Sequence, residues 1–69
     1  MIHHERVNGK DVIKRLEQAG FQVVRIQGSH HILARDGHPR SVPVPVHGHH
    51  DLGRGLIATI ERQSGVKLT

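Results

Sequence analysis

FQVVRIQGSHHILARDGHPRSVPVPV, Phe21 to Val46, decides the fold of this chain. Phe21 to Gln27 (FQVVRIQ) predicts a strand, Gly28-Ser29 a turn or bulge, and His30 to Arg35 (HHILAR) a second strand. Asp36-Gly37-His38-Pro39 is a hairpin connection of the Asp-Gly kind. A third strand, Ser41 to Val46, alternates Val42, Val44 and Val46 against Pro43 and Pro45. Residues two apart in a strand aim their N–H groups to the same side, and neither proline has one. That side cannot carry a full ladder, so the third strand belongs at the edge of the sheet. A meander of order 1-2-3, with strand two central, satisfies this.

Outward from this stretch, both flanks read as helices. Asn8 is a good N-cap, and Asp11 three residues on answers it while complementing the helix dipole. Val12, Ile13, Leu16 and Ala19 recur at helical spacing, with Lys10, Lys14, Arg15 and Glu17 outside, which predicts a helix over about 9–19. Gly20 stands where a left-handed residue is wanted, and Phe21 can fold back on the last turn. On the far side, His47-Gly48-His49-His50-Asp51 is a polar loop. Leu52, Leu56, Ile57 and Ile60 then predict a second helix over about 53–64, closed by Gly65 and weakened in its first turn by Gly53 and Gly55. Asn8, Gly20, Gly28, Gly55 and Gly65 are the expected turn and cap residues. The order αβββα predicts a small two-layer α+β domain, a three-stranded antiparallel sheet with both helices on one face.

The 69 residues make one domain, 1–69, with 1–7 expected to be mobile. Phe21 is the only aromatic, and hydrophobic residues make up 35%, so the core should be thin: a chain this short buries only about 60% of its unfolded surface. With no cysteine, disulfides and thiolate metal sites are excluded. No apolar run is long enough for a membrane span, and the first residues lack the apolar region of a signal peptide, so a cytoplasmic protein is expected. Ten Lys plus Arg against six Asp plus Glu give a net charge of +4, which suits a polyanion such as nucleic acid. The lack of aromatics beyond Phe21 argues against base-stacking platforms, so phosphate contacts and shape should dominate any binding of RNA. Strands one and two also carry apolar residues on both faces, Val23 opposing Val24 and Ile32 opposing Leu33. Two short helices cover one face only, so the other should show Val and Leu to solvent, and such patches usually mark a partner.

There is no phosphate loop, paired-cysteine signal or serine nucleophile elbow. The chemistry-bearing residue is histidine, eight in all. His3-His4 precedes the first helix and reads as a solvated pair, and His38 stands alone. His47, His49 and His50 with Asp51 have the ligand chemistry for a divalent metal, but a structural site usually draws on two elements, and this is one loop. Gly28-Ser29-His30-His31 opens the central strand, with Arg25 before it. Strand alternation sends His30 and His31 to opposite faces, so only one can serve a given site. Imidazole exchanges protons near neutral pH. Cleavage of RNA through its own 2′-hydroxyl needs that hydroxyl deprotonated, the leaving 5′-oxygen protonated and the phosphate charge stabilised, with no metal chemically required. Spacing alone does not separate such a site from a surface pair of histidines.

A resemblance to a known family does. Gly9-Lys10-Asp11-Val12-Ile13-Lys14 through Gly20-Phe21, followed by Val24-Arg25-Ile26-Gln27-Gly28-Ser29-His30-His31-Ile32, is similar to the HicA toxin family, also called YcfA-like. So are Val42-Pro43-Val44-Pro45 with His47 after it, and the closing Gly55-Leu56-Ile57, Ile60 and Gly65-Val66. The resemblance spans about residues 7–67. It implies a fold like the double-stranded-RNA-binding domain. It also implies an endoribonuclease, an mRNA interferase that arrests translation under stress, with the first His after Gly-Ser, His30, as its catalytic residue. It further implies a HicB-type antitoxin that binds the toxin and blocks that histidine. Gly55-Leu56-Ile57 departs from the family's common Gly-Thr-Leu, Ser64 stands where Ala is common, and the His47–His50 loop is unusually His-rich.

On this reading His30 is general base or acid, Ser29 and His47 are candidate supports, and Lys10, Lys14, Arg25 and Arg40 are candidate phosphate contacts. The partners are RNA and the antitoxin, with no membrane, metal or small-molecule cofactor. Two other readings stay open: a non-catalytic module of the double-stranded-RNA-binding kind, and a metal-binding regulator built on the His47–His50 loop.

Overall fold

A computed structural model of the chain describes residues 7–68. Of the segment 1–7 expected to be mobile, residues 1–6, with the His3-His4 pair, lie outside the described residues, whereas Val7 packs against the core and its carbonyl accepts the Leu52 N–H at 2.8 Å. The elements are α1 (Gly9–Gln18), β1 (Gln22–Gln27), β2 (His30–Ala34), β3 (Val42–Pro45) and α2 (Arg54–Ser64). The sheet is antiparallel with the order β1-β2-β3, as the two prolines require. Pro43 stands opposite Ile32 and Pro45 opposite His30. The intervening N–H groups point toward β2, and the next even-numbered one, that of Val46, donates to the Ser29 carbonyl at 2.7 Å.

Local chemistry sets the bounds of α1. The Asp11 N–H donates to Asn8 Oδ1 at 2.9 Å and the Asn8 N–H to Asp11 Oδ2 at 3.4 Å, a capping box that satisfies two donors the helix cannot. At the other end Gly20 adopts φ 98°. Its N–H donates to the Glu17 carbonyl and that of Phe21 to the Leu16 carbonyl, each at 3.0 Å. This is the paired bonding of a Schellman turn, and it delivers Phe21 onto Leu16 in the core. Two elements are thereby locked together by six residues.

Val12 and Leu16 of α1, Ile57 and Ile60 of α2, and Phe21, Leu33, Val42 and Val44 around the sheet form one buried cluster. Both helices therefore lie on one face of the sheet. Leu68 joins the cluster behind them, its N–H held by Glu61 Oε2 at 2.7 Å. Gly65 closes α2 at φ 75°. Gly55, expected as a turn or cap residue, is neither: the N-cap is Gly53, and Gly55 lies inside α2 with open space around it. Its role passes to Gly53 because the extended backbone at Gly53 turns the chain into the helix.

The strand pattern holds one departure from plain alternation. Phe21 and Val23 face the core, Val23 pairing with Leu33, while Arg25 and Gln27 pair with Ile32 and His30 on the opposite, open face. These four residues share one parity, so the chain must gain a residue between them. It does so by a β-bulge at Val24, where the register shifts. The expected exposure of Val and Leu therefore holds for Val24 and is corrected for Leu33. Leu33 is in the core, Ile32 on the open face is only 8% exposed, and among the described residues the large apolar side chains left in solvent are Val24 at 57%, Ile26 at 59% and Leu56 at 36%.

Candidate active site

The β1–β2 hairpin builds the site. Gln27 pairs with His30 across a two-residue loop, and Gly28, at its first central position, takes φ 60°. That is the pattern of a type II′ turn, whose twist suits a hairpin and whose first position favours glycine. Nothing lies within 4 Å of a Cβ at Gly28, so backbone conformation alone asks for glycine there. The tight turn fixes the register, and the register puts His30 on the open face between Gln27 and Pro45. His30 is exposed.

His31 faces the other way, opposite Ile26 and Val44, half-buried, with its Nδ1 enclosed and unpartnered. It belongs to the rim of the core. Ser29 holds two connections at once. Its carbonyl accepts the Val46 N–H, and its Oγ lies 3.4 Å from His47 Nε2, within hydrogen-bond reach. The segment after β3 is thus clamped to the hairpin turn, and the imidazole of His47 comes to the residue preceding His30. The structure places Ser29, His30 and His47 at one end of the sheet.

Arg25 shares His30's face. It is opposite Ile32, two residues along β2, so Arg25 and His30 are diagonal cross-strand neighbours with Cα atoms about 7–8 Å apart. A guanidinium spans that distance. The other cations are elsewhere. Lys10 and Lys14 lie exposed on α1, in the layer behind the sheet, though the packing of Gly9 against Pro45 and Val46 sets the first turn of α1 at the His30 end. Arg40 sits in the β2–β3 connection, beyond the far end of a strand about 13 Å long. Gln27, directly across from His30, was not singled out from the sequence. The hairpin itself was the available signal, since a two-residue loop names the pair that closes it.

His49 and His50 are exposed on a turn closed by the His50 N–H to the His47 carbonyl at 3.0 Å. Among the described residues no three of His, Asp and Glu converge as metal ligands would. His38 is taken up by structure. Its Nε2 lies 2.7 Å from the Gln63 carbonyl, which only accepts, so that nitrogen carries the proton. Its ring meets Phe21 edge-on at 5.2 Å. The guanidinium of Arg35 lies 4.7 Å from the centre of the Phe21 ring and donates to the Ala19 carbonyl. No helix of the described residues is long and apolar enough to cross a membrane.

No curated protein matches the chain. Among solved structures it is similar to one described as the HicA3 and HicB3 toxin-antitoxin complex. The TM-score is 0.68 and the identity 28%, over 87% of this chain and 96% of that one. The family model for the HicA toxin of bacterial toxin-antitoxin systems matches residues 9–66, from the first residue of α1 past the glycine that closes α2. The match takes in α1, the hairpin and the edge strand that together present His30, and the chain belongs to the HicA toxin family.

Proposed function

We propose that the chain is an endoribonuclease that cleaves mRNA and arrests translation, with His30 as general base or acid, neutralised by a HicB-type antitoxin. Family membership supports the toxin role, and the solved relative is itself a complex with HicB3. The single observation that carries the chemistry is the convergence at the start of β2. His30 is exposed on the open face, while the Ser29 hydroxyl lies 3.4 Å from the second imidazole, that of His47.

In the proposed reaction one imidazole removes the 2′-hydroxyl proton, and the 2′-oxygen attacks the adjacent phosphorus. The bond from phosphorus to the 5′-oxygen breaks, and that oxygen takes a proton from the other imidazole. The products are a 2′,3′-cyclic phosphate and a 5′-hydroxyl. Arg25, diagonal to His30, supplies positive charge toward the phosphoryl oxygens. This chemistry needs no metal. Ser29 orients His47 and takes no proton in the balance.

The test compares wild type with His30→Ala on a long transcript in EDTA, alongside RNA affinity. Loss of about 10²-fold or more in cleavage with affinity retained is expected. Equal cleavage by both proteins would sink the proposal, and cleavage lost to chelator alone would favour a metal-dependent reaction.

A further inference from the structure

At the end of the molecule opposite His30, the β2–β3 connection and the last turn of α2 enclose an open groove of about 510 Å³. His38, Pro39 and Arg40 line it from the connection, and Arg62 and Gln63 from the helix. No carboxylate is among them. Arg62 has one neutral partner, its Nη2 donating to Thr59 Oγ1 at 3.5 Å. Two cations from separate elements thus share one groove, and the wall between them is fixed. His38 is bonded to the Gln63 carbonyl at 2.7 Å and packed edge-on against the buried Phe21. The loop carrying Arg40 is thereby pinned to the helix carrying Arg62.

We propose that this groove binds a backbone phosphate of the RNA, at a nucleotide beyond the one cleaved, so that the transcript is held at two points. The inference rests on the ribonuclease reading and adds to it a docking site containing Arg62. Guanidinium forks match phosphate oxygens bidentately, and a pair on a pinned frame loses little freedom on binding. Beside its two arginines the groove is lined by His38, Pro39 and Gln63 and holds no Trp or Tyr of the kind that anchors many protein–protein interfaces. Its volume lies in the range of small-ligand sites, enough for a nucleotide unit rather than a bare ion. Phosphate contacts also suit a chain whose single aromatic is buried and unavailable for base stacking.

The experiment is equilibrium binding of a fluorescent 2′-O-methyl RNA oligonucleotide, which lacks the attacking hydroxyl, across a salt series. Wild type is compared with the Arg40→Gln/Arg62→Gln double variant. Arg54→Gln/Lys67→Gln is the control, removing the same charge at exposed sites outside the groove. Each lost phosphate contact should lower the slope of log affinity against log salt by about 0.7, so the groove variant should lose about 1.4 and the control clearly less. Equal slopes for wild type and groove variant would overturn the inference, as would an equal loss in the control, which is the signature of net charge alone. Displacement of the RNA by millimolar inorganic phosphate at fixed ionic strength would mark a site for the free ion instead. Loss of antitoxin binding with RNA affinity intact would assign the groove to a protein, also against the inference. Wild type that binds RNA with the groove signature but does not cleave would refute the nuclease reading while leaving the groove in place.

Discussion

Replacing glycine by alanine in the first turn of each helix should move stability in opposite directions. On propensity alone, both changes favour the helix by up to about 1 kcal/mol. Gly55 meets nothing within 4 Å and has no positive φ, so Gly55→Ala should keep that gain, about 0.4–1 kcal/mol. Gly9 is buried against β3. A Cβ there would overlap the Pro45 carbonyl oxygen and lie 3.0 Å from Val46 Cγ2 and 3.1 Å from Val46 Cα. Two of those three atoms are backbone and cannot rotate away, so α1 must retreat from the sheet. Overpacking of this kind costs about 1–3 kcal/mol, which exceeds the propensity gain and leaves Gly9→Ala destabilised by about 1–2 kcal/mol. In a domain of this size that is a fall in Tm of about 5–15 °C, against a rise of about 2–8 °C for Gly55→Ala. Circular dichroism melts of the two variants and wild type decide it. A Gly9→Ala protein melting at or above wild type would refute the reasoning, because close packing at Gly9 would then be no constraint.

Gly28→Ala places a Cβ at φ 60° and should cost about 1–2 kcal/mol, seen as a lower denaturation midpoint with an unchanged slope. Ile60→Ala, in the fully buried core, should cost about 2–5 kcal/mol in a urea titration, while Ile26→Ala at 59% exposure should change little. His47→Ala should lower single-turnover cleavage by about 10²-fold with RNA affinity nearly unchanged, whereas loss of affinity without loss of rate would remove His47 from the proposed chemistry. Arg25→Gln should weaken both RNA binding and the salt dependence of that binding, and a variant with wild-type salt dependence would mean that Arg25 does not reach the phosphate.

Much of the architecture was legible because it is encoded locally. Asn8 with Asp11 announces a helix cap, Gly20-Phe21 a left-handed helix stop, and Gly28-Ser29 a turn or bulge that the structure resolves as a tight hairpin, each through backbone groups satisfied within a few residues. The parity break in β1 was present in the chain as well. Phe21 and Val23 are apolar while Arg25 and Gln27 are polar at the same spacing, and a bulge resolves that conflict. Read as plain alternation, the run hides it. Gly55 misled for the opposite reason. Glycine before a helix suggests a cap, but Gly53 does that work, and sequence does not say which of two nearby glycines will.

By itself the sequence determined the order of elements, the edge position of β3 and the opposite-facing pair His30 and His31. Those follow from missing N–H groups, strand periodicity and turn chemistry, which act over short stretches of chain. Only the tertiary structure decided which member of that pair meets solvent and what stands beside it. The helices cover one face because Val12, Leu16, Ile57 and Ile60 bury against Leu33, Val42 and Val44, and that choice leaves His30 on the open side. The 18-residue separation between Ser29 and His47, and the 22 between Arg40 and Arg62, are closed by packing of whole elements. No local rule carries a contact over such distances, since it depends on burial summed across the domain.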